Sequence, residues 1–125
     1  MADSLRAGAA SVDISPGPGI PLAGYPHFPR HNTGIHDPLM AACIVLDDGA
    51  TRVAIVCMDT LFFSRRYVQK VRQNTESSTG IPAANILICC SHTHSSPWAP
   101  ISLSWVCPAM LFIPMRIISP CFRIN

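Results

Sequence analysis

The chain has 125 residues, of which 49% are hydrophobic and 13% are charged, and its formal net charge is +2. This length fits one domain or part of a larger one, and the high apolar content excludes an intrinsically disordered chain. The basic residues are scattered along the sequence, so the pattern also excludes the clustered basic surface of a nucleic-acid-binding protein.

The first predicted elements are a short strand and a long loop. Residues 9–14 alternate weakly between apolar and polar side chains and predict a short strand. Residues 15–38 contain six of the twelve prolines and four glycines. Proline lacks the amide donor that a helix or a sheet ladder requires, so this segment is predicted to be a loop. A loop this long in a compact domain is usually functional or disordered.

A β-hairpin is predicted next. Residues 39–46 and 52–58 are apolar runs, and the sequence DDGA at residues 47–50 between them is typical of a tight turn. The loop before the hairpin contains no G-K-[ST] sequence, so a phosphate-binding P-loop is not predicted.

A βαβ unit is predicted to follow, which makes the fold class α/β with a partial sheet. Residues 64–74 predict a helix with Ser64 as its cap and Gly80 beyond its end. The apolar face of this helix consists of Tyr67, Val68 and Val71. Residues 85–90 form a continuous apolar run, typical of a parallel strand covered on both faces. Strand 52–58, the helix and this strand then form a right-handed crossover.

The last twenty-five residues differ in character from the rest. Residues 101–125 contain no acidic residue and no glycine, and prolines interrupt them at six-residue intervals. The prolines and Arg116 disfavour a membrane-spanning helix, which needs about twenty consecutive apolar residues. We therefore predict a domain over residues 1–100 and an atypical apolar tail that does not dock on the sheet. A truncated, misspliced or frameshifted end is the explanation that we favour.

The N-terminal residues and the cysteines bear on location and redox state. The first residues, MADSLRAGAASVD, contain no apolar run after a basic cluster and predict no secretory signal peptide. Six cysteines occur without C-x-x-C spacing, and we interpret them as buried thiols of a reducing compartment. The sequence predicts neither a compartment nor an oligomeric state.

Two histidines directly follow the last predicted strand, in the sequence SHTHS. Open α/β sheets bind ligands at the carboxyl ends of their parallel strands. On extended backbone, residues i and i+2 point the same way, so we expect His92 and His94 to converge. Imidazole is the commonest neutral metal ligand, and a catalytic zinc takes about three protein ligands. The pair can supply two zinc ligands, or one ligand and one acid–base or substrate-binding group, and two solvated histidines are the alternative.

Other candidate residues lie near the same edge of the sheet. Asp59 follows strand 52–58, and its carboxylate either hydrogen-bonds to a metal-ligating side chain or caps the helix. His36 ends the long loop and can reach the same site. Ser95 and Ser96 lack a G-x-S-x-G context, so a serine nucleophile elbow is not predicted.

Three segments, in this order and spacing, resemble the N-terminal part of the neutral/alkaline non-lysosomal ceramidases: GAASVDISPGPGIPLAGY, TGIHDPLMAACIVLDDGATRVAIVCMD and TGIPAANILICCSHTHSSP. The resemblance covers about residues 7–100. It implies a hydrolase that uses a zinc-activated water to cleave the amide of ceramide into sphingosine and a fatty acid. It also implies that His92 is a zinc ligand, that His94 is a catalytic residue that binds or polarises the substrate amide, and that His36 lines the substrate site.

The resemblance is incomplete in its ligand set. The family's other zinc ligands are a histidine, a glutamate and a tyrosine, and none of these residue types occurs after Pro97. We therefore expect weak zinc binding and no activity from this chain alone. The implied partner is a ceramide-like lipid, with peripheral contact to the membrane that contains it and no nucleic acid. The alternatives are a related metallohydrolase of another amide or ester, and a non-catalytic product that associates through its sheet edge.

Overall fold

The computed structural model describes residues 5–25 and 27–98. They form a mixed sheet with the strand order β1-β2-β3-β4, one α-helix and a short 3-10 helix. The elements are β1 (Arg6–Asp13), β2 (Met40–Asp47), β3 (Arg52–Met58), α1 (Arg65–Thr79), the 3-10 helix (Ala83–Asn85) and β4 (Ile86–Cys90). The predicted α/β fold with a hairpin and a βαβ unit is confirmed.

Strand β1 lies at one edge of the sheet and pairs antiparallel with the full length of β2. The register places Arg6 opposite Asp47, and the two side chains form an ion pair at 2.9 Å. The sequence predicted a strand only over residues 9–14, because the small residues of RAGAA alternate weakly. Cross-strand hydrogen bonds to β2 extend the strand towards the N-terminus.

The predicted turn between β2 and β3 is confirmed, and a carboxylate stabilises it. The Asp48 side chain accepts the backbone amides of Ala50 and Thr51 at 2.9 and 2.7 Å. These bonds, that of Thr51 first, hold the pKa of the Asp48 carboxyl below its ordinary value. The turn thus fixes the antiparallel register of β2 and β3.

Helix α1 connects β3 to β4 and allows the two strands to pair in parallel. Ser64 lies at the N-cap position, as predicted, but its side chain makes no capping hydrogen bond. The helix continues to Thr79 rather than ending at residue 74, and Gly80 ends it with φ 72°. Side-chain hydroxyls of the last turns bond to carbonyls within the helix: Ser77 to Gln73 at 2.9 Å, Ser78 to Thr75 at 3.1 Å and Thr79 to Thr75 at 2.7 Å.

The buried side chains lie on one face of the sheet. The core consists of two clusters: Ala41, Val56 and Met58, and Ala54, Ile81 and Ile86. Ile81, which follows the helix, is fully buried against the second cluster. Buried positions alternate along β3, although the sequence predicted only a continuous apolar run there.

The opposite face of the sheet is exposed within the described part of the chain. Ile44, Ile55 and Leu87 are register partners across β2, β3 and β4, and all three are exposed. Within residues 5–25 and 27–98, no element covers this face of β4. The prediction that strand 85–90 is covered on both faces is therefore wrong in the described part of the chain. Cys57 is also exposed on β3, so the interpretation of every cysteine as a buried thiol is wrong at this position.

Some predictions concern residues beyond this description. The boundary at residue 100 and the apolar tail over residues 101–125 lie outside the described residues and stay predictions. Among residues 5–25 and 27–98, no helix combines the length and the apolar character needed to cross a membrane.

Truncation of Ile81 tests the core. Ile81 is 0% exposed, whereas Ile35, also outside helices and strands, is 57% exposed. We expect Ile81→Ala to lower the free energy of unfolding by about 2–5 kcal/mol, because it removes buried methyl groups and leaves a cavity. The matched Ile35→Ala variant should change it by less than about 0.5 kcal/mol. Urea denaturation measures both, and equal effects would contradict this core.

Candidate functional site

The segments that leave the carboxyl ends of β3 and β4 are bonded to each other. The Ser91 amide donates to the Met58 carbonyl at 3.0 Å, and the His92 amide donates to the Thr60 carbonyl at 3.1 Å. The Thr60 hydroxyl donates to the Cys90 sulfur at 3.2 Å. The residues predicted to carry chemistry therefore stand on a fixed backbone where the two parallel strands end.

The imidazole of His92 is held in one tautomer. Its Nδ1 lies 2.9 Å from the carbonyl oxygen of Leu61. Because a carbonyl only accepts, Nδ1 must donate, and Nε2 then keeps its lone pair. A backbone carbonyl on one nitrogen and a free lone pair on the other is the usual arrangement of a metal-binding histidine. The side chain is exposed, so Nε2 is open to a ligand from outside.

The backbone at His92 differs from the predicted extended conformation. His92 has φ 61°, and it is the only non-glycine residue with a positive φ among residues 5–25 and 27–98. Such a conformation costs about 1–3 kcal/mol and persists only where surrounding contacts impose it. The prediction that alternation along a strand aligns His92 with His94 therefore rests on a wrong backbone geometry.

The two imidazoles are nevertheless neighbours. Their ring centroids lie 5.3 Å apart with the planes at 81°, which is an edge-to-face contact. The ring of Tyr25 contacts His94 from the long loop, with a centroid distance of 5.2 Å. His94 is half-buried by these neighbours, whereas His92 is exposed. The two histidines thus have different surroundings, which suits two different roles.

Gly24 provides the space that His94 occupies. It has φ 96°, and a Cβ added to it would lie 2.6 Å from Cγ and 3.0 Å from Cε1 of the His94 ring. A methyl group there cannot coexist with this position of the ring. This role of Gly24 was not predicted, because nothing in the sequence distinguishes it from the other glycines of the loop.

Ser96 connects the histidine segment to two other segments. The side chain is 0% exposed, and its hydroxyl accepts the Leu61 amide at 3.2 Å. Its backbone carbonyl accepts the Ala23 amide at 2.8 Å, and an isolated bridge joins Leu22 to Pro97 beside it. This structural role of Ser96 was not predicted, since a single serine carries no sequence signal of burial.

Asp59 joins the two strands of the hairpin. Its carboxylate accepts the Met40 amide at 2.9 Å, and its own amide donates to the Met40 carbonyl at 2.8 Å. It does not cap the helix, because Ser64 occupies the N-cap position. The other predicted role of Asp59, as support for a metal ligand, stays a prediction.

A cleft of about 840 Å³ opens beside these strand ends. The long loop forms most of its wall, and Asp59, Thr93 and Ser95 complete it. His36 lies on this wall with its side chain 98% exposed, and its Nδ1 is 2.9 Å from the Asp37 carboxylate. His36 thus lines the same cleft as Thr93 and Ser95, whereas neither His92 nor His94 lines it.

Zinc binding by the described residues stays a prediction. The geometry of His92 suits one zinc ligand, because its Nε2 is free and the ring is oriented by the hydrogen bond to the Leu61 carbonyl. Within residues 5–25 and 27–98, no three His, Cys, Asp or Glu side chains are grouped to hold a metal ion. A catalytic zinc usually needs about three protein ligands, so a zinc bound to His92 would require further donors from outside this part of the chain.

Comparison with solved structures identifies the fold. The neutral ceramidase from Pseudomonas aeruginosa matches 76% of this chain with a TM-score of 0.67 and 24% identity. A ceramidase complexed with C2 matches 76% of the chain with a TM-score of 0.65 and 25% identity. In each case the match covers 16% of the other chain. The chain therefore has the fold of a segment of these ceramidases, and the resemblance predicted from the sequence is confirmed.

Sequence comparisons give no further relative. No family model matches the chain, and no curated protein matches it.

Removal of the Ser96 hydroxyl tests the junction. Ser96→Ala leaves the buried Leu61 amide without its acceptor, and we expect the free energy of unfolding to fall by about 1–3 kcal/mol. Hydrogen exchange of that amide should accelerate as well. The exposed neighbour provides the control, and Ser95→Ala should leave both measurements almost unchanged. Unaltered exchange at Leu61 in Ser96→Ala would show that the hydroxyl does not hold this segment.

A methyl group at Gly24 tests the position of His94. Gly24→Ala and Gly19→Ala both place alanine at a positive φ, but only Gly24 faces the His94 ring. We expect Gly24→Ala to shift the NMR resonances of the His94 and Tyr25 rings and to destabilise the fold more than Gly19→Ala. The strain common to both variants, about 1–3 kcal/mol, cancels in this comparison. Identical ring resonances in the two variants would contradict the close approach.

Proposed function

We propose that this chain forms part of the active site of a zinc-dependent amide hydrolase that acts on ceramide-like lipids. The observation that carries the proposal is the orientation of His92, whose Nδ1 is bound to Leu61 so that Nε2 is free. The shared fold with two ceramidases supports the substrate class. The chain spans 16% of those proteins, so the whole activity requires further residues.

His92 is proposed to hold zinc through Nε2. The bond to the Leu61 carbonyl keeps the proton on Nδ1 and fixes the direction of the ring before a metal arrives. When bound, zinc would lower the pKa of a coordinated water towards about 7 and polarise a carbonyl oxygen. This chemistry suits a strong amide bond, which a neutral water attacks very slowly.

His94 is proposed to contact the substrate amide. Its ring lies 5.3 Å from that of His92, within reach of a group bound at the free Nε2. Tyr25 and the bare backbone of Gly24 limit where the ring can turn, so one position is favoured. A positioned imidazole of this kind can donate a hydrogen bond to the oxygen that becomes negative in the transition state.

His36 is proposed to line the substrate-binding region. It stands on the wall of the cleft, together with apolar residues of the same loop such as Leu22 and Ile35. The wall also carries polar residues such as Arg30, Asn32 and Asp37, and a lipid with a polar head requires both kinds of surface. Contact with the membrane that contains such a lipid would then be peripheral.

Separate losses of zinc and turnover test the two histidine roles. A suitable protein is the Pseudomonas aeruginosa neutral ceramidase with its matching segment replaced by residues 7–98 of this chain. We expect His92→Ala to remove both zinc and ceramide hydrolysis, because the variant lacks a ligand. We expect His94→Ala to keep zinc and lower kcat by about 10²–10³-fold, as removal of one transition-state donor does.

The exposed loop residue His27 provides the control, and His27→Ala should retain zinc and turnover. Zinc content is measured by metal analysis and turnover by release of sphingosine. Stoichiometric zinc in His92→Ala would show that the ligand is another residue. Loss of zinc in His94→Ala would assign it a ligand role rather than a substrate contact.

A further inference from the structure

Two cysteines face each other on neighbouring strands. Cys57 of β3 and Cys89 of β4 are Cα partners in the parallel register. Side chains of register partners lie on the same face of a sheet. Two residues earlier, the partners Ile55 and Leu87 are exposed, so this is the uncovered face. Both thiols therefore lie on the side of the sheet that the helix does not cover.

The two thiols differ in exposure. Both are free, with Cys57 exposed and Cys89 half-buried. The Cys89 thiol donates to the Val56 carbonyl at 3.3 Å. Paired strands lie about 4.8 Å apart. This spacing falls within the Cα separation of roughly 4.4–6.8 Å that a disulfide spans.

We propose that Cys57 and Cys89 are a dithiol that closes reversibly to a cross-strand disulfide by exchange with a small disulfide such as oxidised glutathione. The exposed Cys57 thiolate attacks one sulfur of glutathione disulfide, and one glutathione thiolate leaves. The Cys89 thiolate then attacks the Cys57 sulfur of this mixed disulfide, and the second glutathione leaves. The two protein thiols are oxidised, glutathione disulfide is reduced, and the two thiol protons end on two glutathione molecules.

The resulting bond is readily reduced. The Cβ atoms of a disulfide lie about 3.8 Å apart, which is closer than the spacing of paired strands. The strands must therefore approach each other locally, and a strained disulfide has a more oxidising potential. Partial burial first, and then the neighbouring Cys89 thiol and the charge of Asp59, raise the pKa of the Cys57 thiol. The exchange should accelerate as the pH rises towards this pKa.

The cross-link lies close to the candidate zinc site. Cys89 is three residues before His92, and Cys57 is two residues before Asp59. A covalent bond at this level joins the two strands just below the segments that carry these side chains. Oxidation would therefore fix the spacing of the strand ends on which the site is built.

Oxidation of the folded full-length chain tests the proposal. The chain is incubated with oxidised glutathione, and its remaining thiols are alkylated before mass spectrometry. We expect a decrease from six alkyl groups on the reduced chain to four on the oxidised chain, a fragment that links Cys57 to Cys89, and full reversal by dithiothreitol. Cys57→Ser and Cys89→Ser should each prevent this link and accumulate a mixed disulfide with glutathione on the other cysteine. The matched control Cys43→Ser should retain the cross-link, since Cys43 faces Val56 and no cysteine in the register.

Several results would overturn the proposal. They are a link from Cys57 to any other cysteine, a disulfide between two chains through Cys57, and two thiols that stay free while the wild-type chain remains folded. Because fragment mapping uses the wild-type chain, the proposal stays testable even if a serine variant fails to fold. Circular dichroism before and after oxidation verifies that the fold is retained.

Discussion

The hydrogen bond between the Leu61 amide and the buried Ser96 hydroxyl is the constraint on which the candidate site depends. It joins the segment after β3 to the segment after β4 in the buried interior. The Ser96 carbonyl accepts a hydrogen bond from the Ala23 amide, which attaches the long loop to the same place. A buried amide without a partner is destabilising by about 1–3 kcal/mol, so the three segments are held together by the need to satisfy it.

The geometry of the two histidines follows from this junction. Because Leu61 is fixed, its carbonyl can accept a hydrogen bond from His92 Nδ1. The neighbouring Thr60 carbonyl accepts a second hydrogen bond, from the His92 amide. These two bonds offset the unfavourable positive φ of His92. The long loop, bound at Ala23, brings Gly24 and Tyr25 against His94. One histidine is thus oriented by backbone carbonyls and the other by packing.

The sheet presents its two faces to different surroundings. One face carries the core around Met58 and Ile86, and the other exposes Ile55, Leu87 and the Cys57 thiol in the described part of the chain. An exposed apolar face of this kind usually marks a surface that another element or another chain covers. The ceramidases that share the fold are much longer, since the match covers 16% of their chains. The proposed disulfide exchange depends on this exposure, because a covered Cys57 would not meet glutathione.

The sequence by itself determined the hairpin, the βαβ unit and the placement of His92 and His94 after a strand, because apolar periodicity and turn residues act over a few neighbouring positions. It also carried the ceramidase resemblance, through the order of three segments. Only the tertiary structure decided the left-handed backbone at His92, the partners of Ser96 and Asp59, and the contact of Gly24 with His94. Each of these joins residues far apart in the chain, and local sequence patterns carry no information on which distant amide or ring a side chain meets. Coverage of the second face of β4 also depends on distant segments. Its apolar sequence therefore did not reveal that this face is exposed in the described part of the chain.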